Sequence, residues 1–163
     1  ILASDQCRTV ELETEFGVQY VSFDELLQKS DIVTLHIPAS KETEHLLDAA
    51  AFAKMKDGIV LVNTARGSLI DSVTLLSALN SGKVAYALLD VLEHEQNFQE
   101  NEALIKHPKV VTTPHIAFYA DDSMRNMYRA SIQSIEQWIA GKEPEHIVLP
   151  LHLVCDLPVL KRS

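Results

Sequence analysis

The sequence predicts an α/β fold in which helices connect the strands of a parallel sheet. Short apolar runs rich in β-branched residues recur along the chain, and each run ends in polar residues. Between these runs lie segments with helix-capping residues and apolar residues at helical spacing. Strands that alternate with helices in this way indicate a parallel sheet with helical crossovers. At 163 residues the chain can form one domain with a sizeable core.

The clearest strand lies between Gly58 and Asp71. Four apolar residues follow Gly58, and Asn63–Gly67 then forms a polar cluster. This order predicts a fully buried strand that ends in a tight loop carrying Arg66. Ligands of open α/β sheets bind beyond the carboxyl ends of the strands, and a guanidinium group can donate two parallel hydrogen bonds to a carboxylate. Arg66 is therefore a candidate anion-binding residue; the alternative is a surface arginine paired with a neighbour.

The other elements are assigned from capping residues, breakers and apolar runs. They are, in chain order, a strand end at 1–5, a helix from Ser22 as N-cap to about Lys29, a strand at 31–38, a helix from Asp48 to about Met55 with Phe52 and Met55 inside, a helix that Asp71 opens and Asn80–Gly82 ends, a strand at 85–90, a loop at 91–98, a short helix at 102–105, a strand at 110–112, and a helix from Asp121 to about Ala140 with Gly141 beyond it. Ser22 and Glu25 have capping-box spacing, so we expect Glu25 to reach back to the N-cap.

Two helices have a predicted apolar face. The helix after Asp71 presents Val73, Leu75, Leu76 and Leu79. The longest helix presents Met124, Met127, Tyr128, Ile132, Ile135 and Ile139. The residues from 151 to 163 follow no period and stay an unassigned tail.

Charge and composition narrow the range of partners. Acidic residues outnumber basic ones 23 to 14 and no basic stripe is present, which argues against nucleic acid. No apolar run reaches the roughly 18 to 20 residues that span a bilayer, and no leader pattern opens the chain. The chain has only two cysteines, Cys7 and Cys155, and they lie far apart in the sequence. We therefore expect reduced thiols and a cytoplasmic protein. The histidines lack the paired spacing of zinc ligands, so we expect no metal site.

Three successive strand ends carry three different functional groups: Arg66, Glu95 and His115. The carboxyl ends of parallel strands share one edge of the sheet, which can bring these residues into one crevice. A histidine can give a proton to a ketone oxygen, and a carboxylate on its other ring nitrogen fixes its tautomer. An arginine can hold a substrate carboxylate and polarise its carbonyl. The alternative is that His115 is a structural histidine and Glu95 a solvated acid, since the chain has seven histidines and the loop of Glu95 has several acids.

Several motifs in the same order make the chain similar to a known family. The segments are Asp31–Pro38, Val62–Gly67 with Asp71, Leu89–Glu95 and Thr113–Ala117. They resemble the successive signatures of the D-isomer-specific 2-hydroxyacid dehydrogenases, over about residues 1 to 150. Ala117–Tyr119 and Arg125–Met127 are similar to the D-lactate dehydrogenase branch in particular. The resemblance implies a Rossmann-like, doubly wound parallel sheet.

The resemblance also implies roles in catalysis. Arg66 would bind the carboxylate of a 2-oxo acid, His115 would be the general acid/base, and Glu95 would be its dyad partner. Glu93 is the rival for the dyad role. Gln96 stands where many members have proline, which leaves the path of this loop less certain.

The implied cofactor is NAD. Its candidate ligands are Asp5, His36, Pro38, Thr64, Ala65 and Asp90. Asp90 and the backbone of Thr64 and Ala65 match positions that hold the nicotinamide amide, and Pro38 matches a residue on the adenine side. Asp5 matches the carboxylate that binds the adenosine ribose, which favours NAD over its 2′-phosphorylated form. The family further implies a homodimer.

The chain departs from the family pattern at its start. A family member has a Gly-x-Gly-x-x-Gly turn about twenty residues before the ribose carboxylate, and none of the five glycines here forms one. We therefore expect a sheet that lacks its first strand and helix, within a partial dinucleotide-binding domain at residues 1–150. We also expect the apolar face of the last helix to be partly exposed, and the chain alone to have little activity.

Two other functions stay open at this point. One is a non-catalytic NAD-binding module on the same fold, and the other is an inactive remnant of the enzyme. Within the enzyme interpretation the substrate could be pyruvate, hydroxypyruvate, glyoxylate or a larger 2-oxo acid. Binding of the cofactor would distinguish a remnant from the other two.

Overall fold

The computed structural model describes residues 1–145, which form two compact units. The larger comprises Leu2–Ser4 and Val21–Ala117, and the smaller comprises Ile1, Asp5–Tyr20 and the described residues from Phe118 onward. None of the helices in residues 1–145 combines the length and the apolar character needed to cross a bilayer. No three metal-ligating side chains in the same residues are grouped to hold an ion. The predicted tail at 151–163 lies outside the described residues.

The elements alternate between strand and helix over most of the chain. They are β1 (Leu2–Ala3), α1 (Val10–Phe16), β2 (Gln19–Tyr20), α2 (Phe23–Lys29), β3 (Ile32–Leu35), α3 (Ala49–Lys54), β4 (Ile59–Asn63), a short 3-10 turn (Gly67–Leu69), α4 (Ser72–Ser81), β5 (Val84–Leu89), α5 (Phe98–Ile105), β6 (Val110–Thr112) and α6 (Asp121–Ile139).

Strands β3, β4, β5 and β6 form one four-stranded parallel sheet in that order. This confirms the predicted α/β fold class. The last residues of the strands pair directly, Leu35 with Asn63, Asn63 with Leu89, and Leu89 with Thr112. All four strands therefore end in one row, and the loops that follow them emerge side by side.

The core of the larger unit lies on one face of this sheet. Buried residues of the helices α2 to α5, such as Leu27, Phe52, Leu75 and Leu104, belong to one cluster with the inward residues of the strands. Successive residues of a strand point to opposite faces, so the other face carries the alternate residues. There Ile32, Tyr86, Leu88 and Val111 are exposed.

The sequence predicts that strand β4 is buried on both faces, and this prediction is wrong. Ile59, Leu61 and Asn63 are buried, but Val60 and Val62 are only half-buried because they lie on the open face. β5 keeps the same alternation by means of a register shift opposite Ile59 and Val60, which inserts one extra residue.

The helix caps are mostly as predicted. The side chains of Ser22, Asp48 and Asp71 each accept a hydrogen bond from the backbone N–H three residues on. The Glu25 carboxylate, however, contacts Lys29 Nζ at 2.6 Å instead of reaching back to the N-cap. The i,i+4 ion pair on the helix surface competes for the same carboxylate.

Three predictions about helices and thiols are wrong. Val73 of α4 is 78% exposed, while Leu75, Ala78 and Leu79 are buried. Residues two apart on a helix differ by about 200° in direction, so Val73 and Leu75 cannot share a face. Helix α5 begins at Phe98, four residues earlier than expected. Cys7 is disulfide-bonded and not a thiol, and Cys155 lies outside the described residues.

The smaller unit contains helices α1 and α6. α1, which the sequence did not predict, ends at Gly17, whose φ of +65° suits the C-terminal cap. α6 has the predicted length, and Gly141 beyond it has a φ of +69°. No residue of α6 is buried, and its predicted apolar face is exposed at Met127, Tyr128, Ile132, Ile135 and Ile139.

Candidate active site

The candidate site lies at the carboxyl edge of the four-stranded sheet. The four strands end in one row, so the residues that come directly after them lie side by side. These residues are His36, Thr64, Asp90 and Thr113. Loops at such an edge are where ligands of open α/β sheets bind. The side chains that these loops carry can therefore act on one ligand.

The loop after β4 is shaped by a buried asparagine. Asn63 is fully buried, its Nδ2 donates to the carbonyl of Arg66 at 2.9 Å, and its Oδ1 accepts from the N–H of Ala65 at 3.0 Å. The Arg66 side chain is exposed, and its Nη1 donates to the carbonyl of Ala65 at 2.6 Å. Within residues 1–145 no carboxylate forms an ion pair with Arg66. The guanidinium group thus keeps donors for an anion.

Gly67 brings this loop into close contact with the loop after β5. A Cβ atom at Gly67 would lie 2.0 Å from the carbonyl carbon and oxygen of Leu92, and 2.4 Å from the N atom of Glu93. Both neighbours are backbone and cannot rotate away. Only glycine fits this position, so the Arg66 loop and the β5–α5 loop pack as one piece.

His115 follows β6 and meets Glu95 of the β5–α5 loop. Its Nδ1 lies 3.0 Å from Glu95 Oε2, with side chains 44% and 39% exposed. A carboxylate can only accept, so Nδ1 carries the hydrogen and the neutral ring keeps a lone pair on Nε2. Nε2 has no hydrogen-bond partner in the described part of the chain. The backbone of His115 has a φ of +54°, a left-handed conformation that is uncommon outside glycine.

Asp90 holds the segment that carries His115. Its carboxylate accepts hydrogen bonds from the hydroxyl of Thr113 and from the N–H groups of Ile116 and Ala117, the last two at 2.9 Å. The N–H of His115 donates to the Asp90 carbonyl, also at 2.9 Å. Burial of Asp90 raises the pKa of this carboxyl, but the hydrogen bonds prevail and place the pKa below its ordinary value. Asp90 is therefore an ionised anchor for the His115 loop.

A cavity of about 240 Å³ opens beside Asp90 on the open face of the sheet. Thr64 and Asp90 line it together with apolar side chains that include Val62, Leu88 and Val111. Apolar walls with a few polar groups are typical of a site for a flat organic ring. The residues present therefore fit the flat ring at the nicotinamide end of a dinucleotide.

Three further residues predicted to bind the cofactor are His36, Pro38 and Asp5. His36 is exposed, and its Nε2 lies 2.9 Å from the hydroxyl oxygen of Thr34. Pro38 is also exposed, and its carbonyl accepts from the hydroxyl of Thr43 at 2.9 Å. Neither residue lines the cavity beside Asp90. Asp5 belongs to the smaller unit, where its exposed carboxylate accepts from the N–H of Cys7 at 2.8 Å.

Glu93, the rival of Glu95, pairs with a different histidine. Its Oε1 lies 2.5 Å from His45 Nε2, and its Oε2 accepts from the N–H of Ser72 at 3.3 Å. His45 Nδ1 also lies 3.8 Å from Asp71. The hydrogen bond to Glu93 raises the pKa of His45 against the opposing effect of burial. Burial also opposes ionisation of Glu93, but its bonds to His45 and Ser72 lower its pKa overall.

Sequence reasoning missed the pair of His45 and Glu93. The two residues lie 48 positions apart, and the sequence shows no motif that joins them. His45 was visible only as one of seven histidines, and Glu93 was considered only as the rival of Glu95 for the contact with His115. The pair becomes evident only when the loops after β3 and β5 are placed at the same edge.

Comparison with known proteins places the chain among dehydrogenases. Residues 1–117 match the family model described as D-isomer specific 2-hydroxyacid dehydrogenase, NAD binding domain. The D-lactate dehydrogenase of Treponema pallidum is 42% identical over an alignment of 135 residues, and the match covers 76% of this chain and 41% of that protein. The D-lactate dehydrogenase of Lactiplantibacillus plantarum is 41% identical over an alignment of 151 residues, and the match covers 85% of this chain and 45% of that one.

A solved structure supports the same fold. The D-lactate dehydrogenase with NAD⁺ from Lactobacillus jensenii has a TM-score of 0.83 and 32% sequence identity, and the match covers 91% of this chain and 48% of that one. The chain spans about half the length of the relatives that it matches.

Proposed function

Because this chain belongs to the D-isomer specific 2-hydroxyacid dehydrogenases and contains their NAD-binding domain, we propose that it serves the NAD-dependent interconversion of a 2-oxo acid and its D-2-hydroxy acid. The observation that carries the proposal is the 3.0 Å contact between His115 Nδ1 and Glu95 Oε2. It leaves Nε2 available at the sheet edge that also bears Arg66. An acid/base group and an anion-binding group at one edge are what this reaction requires.

His115 is the proposed general acid/base. In the direction of reduction the protonated ring gives its Nε2 proton to the oxygen of the 2-oxo group as that oxygen becomes a hydroxyl. In the direction of oxidation the neutral Nε2 takes the proton of the hydroxyl. Glu95 accepts the Nδ1–H bond throughout, so it fixes the tautomer and stabilises the charged ring.

Arg66 is the proposed ligand of the substrate carboxylate. Its planar group can donate two parallel hydrogen bonds, which fix the orientation of the substrate as well as its position. The positive charge also stabilises the partial negative charge that develops on the carbonyl oxygen. The buried amide of Asn63 supports this role because it fixes the loop from which Arg66 projects.

NAD is the cofactor, and when bound it supplies or accepts the hydride. We assign Thr64, Ala65 and Asp90 to the nicotinamide end, since Thr64 and Asp90 line the cavity beside the strand ends. On the basis of the family motifs, Pro38 is assigned to the adenine side, Asp5 to the ribose hydroxyls, and His36 to the cofactor site. A carboxylate at Asp5 would repel a 2′-phosphate, which favours NAD.

The finer assignments are a D-lactate and pyruvate pair as substrates, a homodimer and a cytoplasmic location. The similarity to two D-lactate dehydrogenases supports the substrate pair. The exposed apolar face of α6 supports self-association. Sedimentation velocity tests the dimer, and fractionation of the source cells tests the location.

The first experiment is a calorimetric titration of the folded, monodisperse chain with NADH. We expect binding in the micromolar range, and pyruvate reduction by the complete gene product that carries this sequence. His115→Gln should keep the binding and lose the turnover. Binding without turnover in the unaltered gene product, with pyruvate and with larger 2-oxo acids, would overturn the proposal and favour a non-catalytic NAD-binding module.

The second candidate is an inactive remnant of the same fold. This candidate differs from the enzyme in that its sheet edge would no longer bind the dinucleotide. A folded chain that binds no NADH even at millimolar concentration would support this candidate.

A further inference from the structure

Three loops of the candidate site meet at one residue, Glu93. Its carboxylate contacts His45 from the loop after β3 and the N–H of Ser72, the first residue of α4. Its carbonyl accepts from Nδ2 of Asn101 of α5 at 2.7 Å. The Glu93 clamp denotes these four residues, His45, Ser72, Glu93 and Asn101. The Glu93 side chain is only 16% exposed, so little of its carboxylate is open to water.

Asn101 fixes the backbone on both sides of Glu95. It is 2% exposed, and besides the carbonyl of Glu93 its Nδ2 lies 3.2 Å from the carbonyl of His94 and 3.3 Å from that of Asn97. A side-chain amide has two hydrogens to donate, so these carbonyls share them. The loop that carries Glu95 is thereby tied to helix α5.

The same clamp fixes the loop that carries Arg66. The 3-10 turn that follows Arg66 leads to Ser72, whose N–H donates to Glu93 Oε2. The N–H of His45 donates to the carbonyl of Ser68 in that turn at 2.8 Å. Gly67 packs directly on the backbone of Leu92 and Glu93. Glu93 is thus bonded to segments on both sides of the candidate site.

We propose that Glu93, held by His45, Ser72 and Asn101, is a positioning residue that sets Glu95 and its partner His115 at a constant distance from Arg66. This inference rests on the proposed function, since it concerns the spacing between the substrate carboxylate and the acid/base group. Glu93, His45 and Asn101 touch no substrate and act through the loops that they hold. A shift of about 1 Å in such a spacing can cost on the order of 100-fold in rate.

The test is the tautomer of the His115 ring, read from long-range ¹H–¹⁵N correlation spectra of the chain above neutral pH. The ring in the unaltered chain should carry its hydrogen mainly on Nδ1, because Glu95 accepts from that atom. Glu95→Leu, which removes the acceptor, should move population to the Nε2–H form. Glu93→Gln and Asn101→Leu should move it in the same direction, because each displaces Glu95. Glu102→Gln, which alters an exposed acid of α5, is the matched control and should leave it unchanged.

The two proposals fail in different ways in this experiment. A tautomer that stays unchanged in folded Glu93→Gln and Asn101→Leu, but changes in Glu95→Leu, overturns the clamp alone. An unchanged tautomer in Glu95→Leu overturns the dyad and the clamp with it. If Asn101→Leu does not melt cooperatively, Asn101→Asp replaces it, and Glu93→Asp is the corresponding second variant. Glu93→Asp keeps the charge but shortens the reach to His45, so it should show the same change.

Discussion

Two histidine–glutamate pairs lie at the same sheet edge, and they differ in one respect that decides their chemistry. His45 and His115 both have a left-handed backbone, with φ of +50° and +54°. Each contacts a glutamate of the β5–α5 loop, Glu93 and Glu95 respectively. Both ring nitrogens of His45 face carboxylates, whereas His115 has Nε2 without a partner among residues 1–145.

The two pairs also differ in how far their glutamate side chains are exposed to solvent. The glutamate of the His45 pair is 16% exposed, and that of the His115 pair is 39% exposed. In the His45 pair Nε2 is bonded to Glu93 and Nδ1 faces Asp71 at 3.8 Å, so both ring nitrogens point at carboxylates of neighbouring segments and the pair holds loops together. An open pair with one free nitrogen can transfer a proton. The comparison teaches that the free nitrogen, and not the His–Glu contact itself, marks the catalytic candidate.

Replacing each histidine by glutamine is the most direct test of the difference between the two pairs. His115→Gln removes the acid/base group, so we expect kcat for 2-oxo acid reduction to fall by roughly 10²- to 10⁴-fold. His45→Gln keeps a hydrogen-bond donor and should cost about tenfold at most, because it only loosens a loop contact. Steady-state kinetics of the complete gene product measure both. A larger loss of kcat in His45→Gln than in His115→Gln would reverse our assignment of the two pairs.

A substitution of Arg66 tests whether the substrate carboxylate binds beside the His115–Glu95 pair. Arg66→Lys keeps the charge but loses the two-pronged geometry, so we expect kcat/KM for the 2-oxo acid to fall about 10- to 100-fold, as for loss of a charged hydrogen bond. The NADH affinity measured by calorimetry should not change. Arg125→Lys on the exposed surface of α6 is the control and should behave as the unaltered protein. Equal effects of the two substitutions would contradict the role of Arg66.

Gly67 lies where the loops of the two pairs meet, so a side chain there should disturb both. In Gly67→Ala the new methyl group would collide with the backbone of Leu92, and we expect a loss of about 1 to 3 kcal/mol in the free energy of unfolding. Urea unfolding followed by circular dichroism measures it. Ser68→Ala, next in the chain, is the control and should cost less. A stability of Gly67→Ala equal to that of the control would show that the loops do not pack this closely.

The pH dependence of stability provides the finest comparison. The raised pKa of His45 contributes stability that is fully present below its ordinary value of 6.5 and is lost as pH rises through the folded-state pKa. The lowered pKa of Glu93 contributes stability that is present above its ordinary value of 4.5 and is lost as pH falls through the folded-state pKa. The pair is therefore complete between those two values.

The corresponding experiment is urea unfolding of the unaltered chain and of His45→Gln over a range of pH. The difference between them should be largest between pH 4.5 and 6.5, and it should shrink as pH rises further. Because the His45 side chain is 39% exposed, solvent screening should keep the difference within about 1 kcal/mol. A difference that grows above neutral pH would show that His45 is not charged in the pair.

Much of the fold was predictable because its signals are local. Asp48 and Asp71 start helices with their own side chains, and Val110–Thr112 forms the strand that its apolar run predicts. Such signals fail where a neighbouring element decides. The exposure of Val73 and the early start of α5 at Phe98 depend on what these helices pack against.

For the candidate site, too, some features were predictable from the sequence and others were not. The order of motifs along the chain determined the family and the presence of Arg66, Glu95 and His115 after successive strands, because a parallel sheet turns strand order into one edge. Only the tertiary structure decided that Glu93 pairs with His45 while Glu95 faces His115, and that Gly67 must lack a side chain. Those outcomes depend on how separate loops fold back on each other. A contact across 48 residues has no local energetic signature in the sequence.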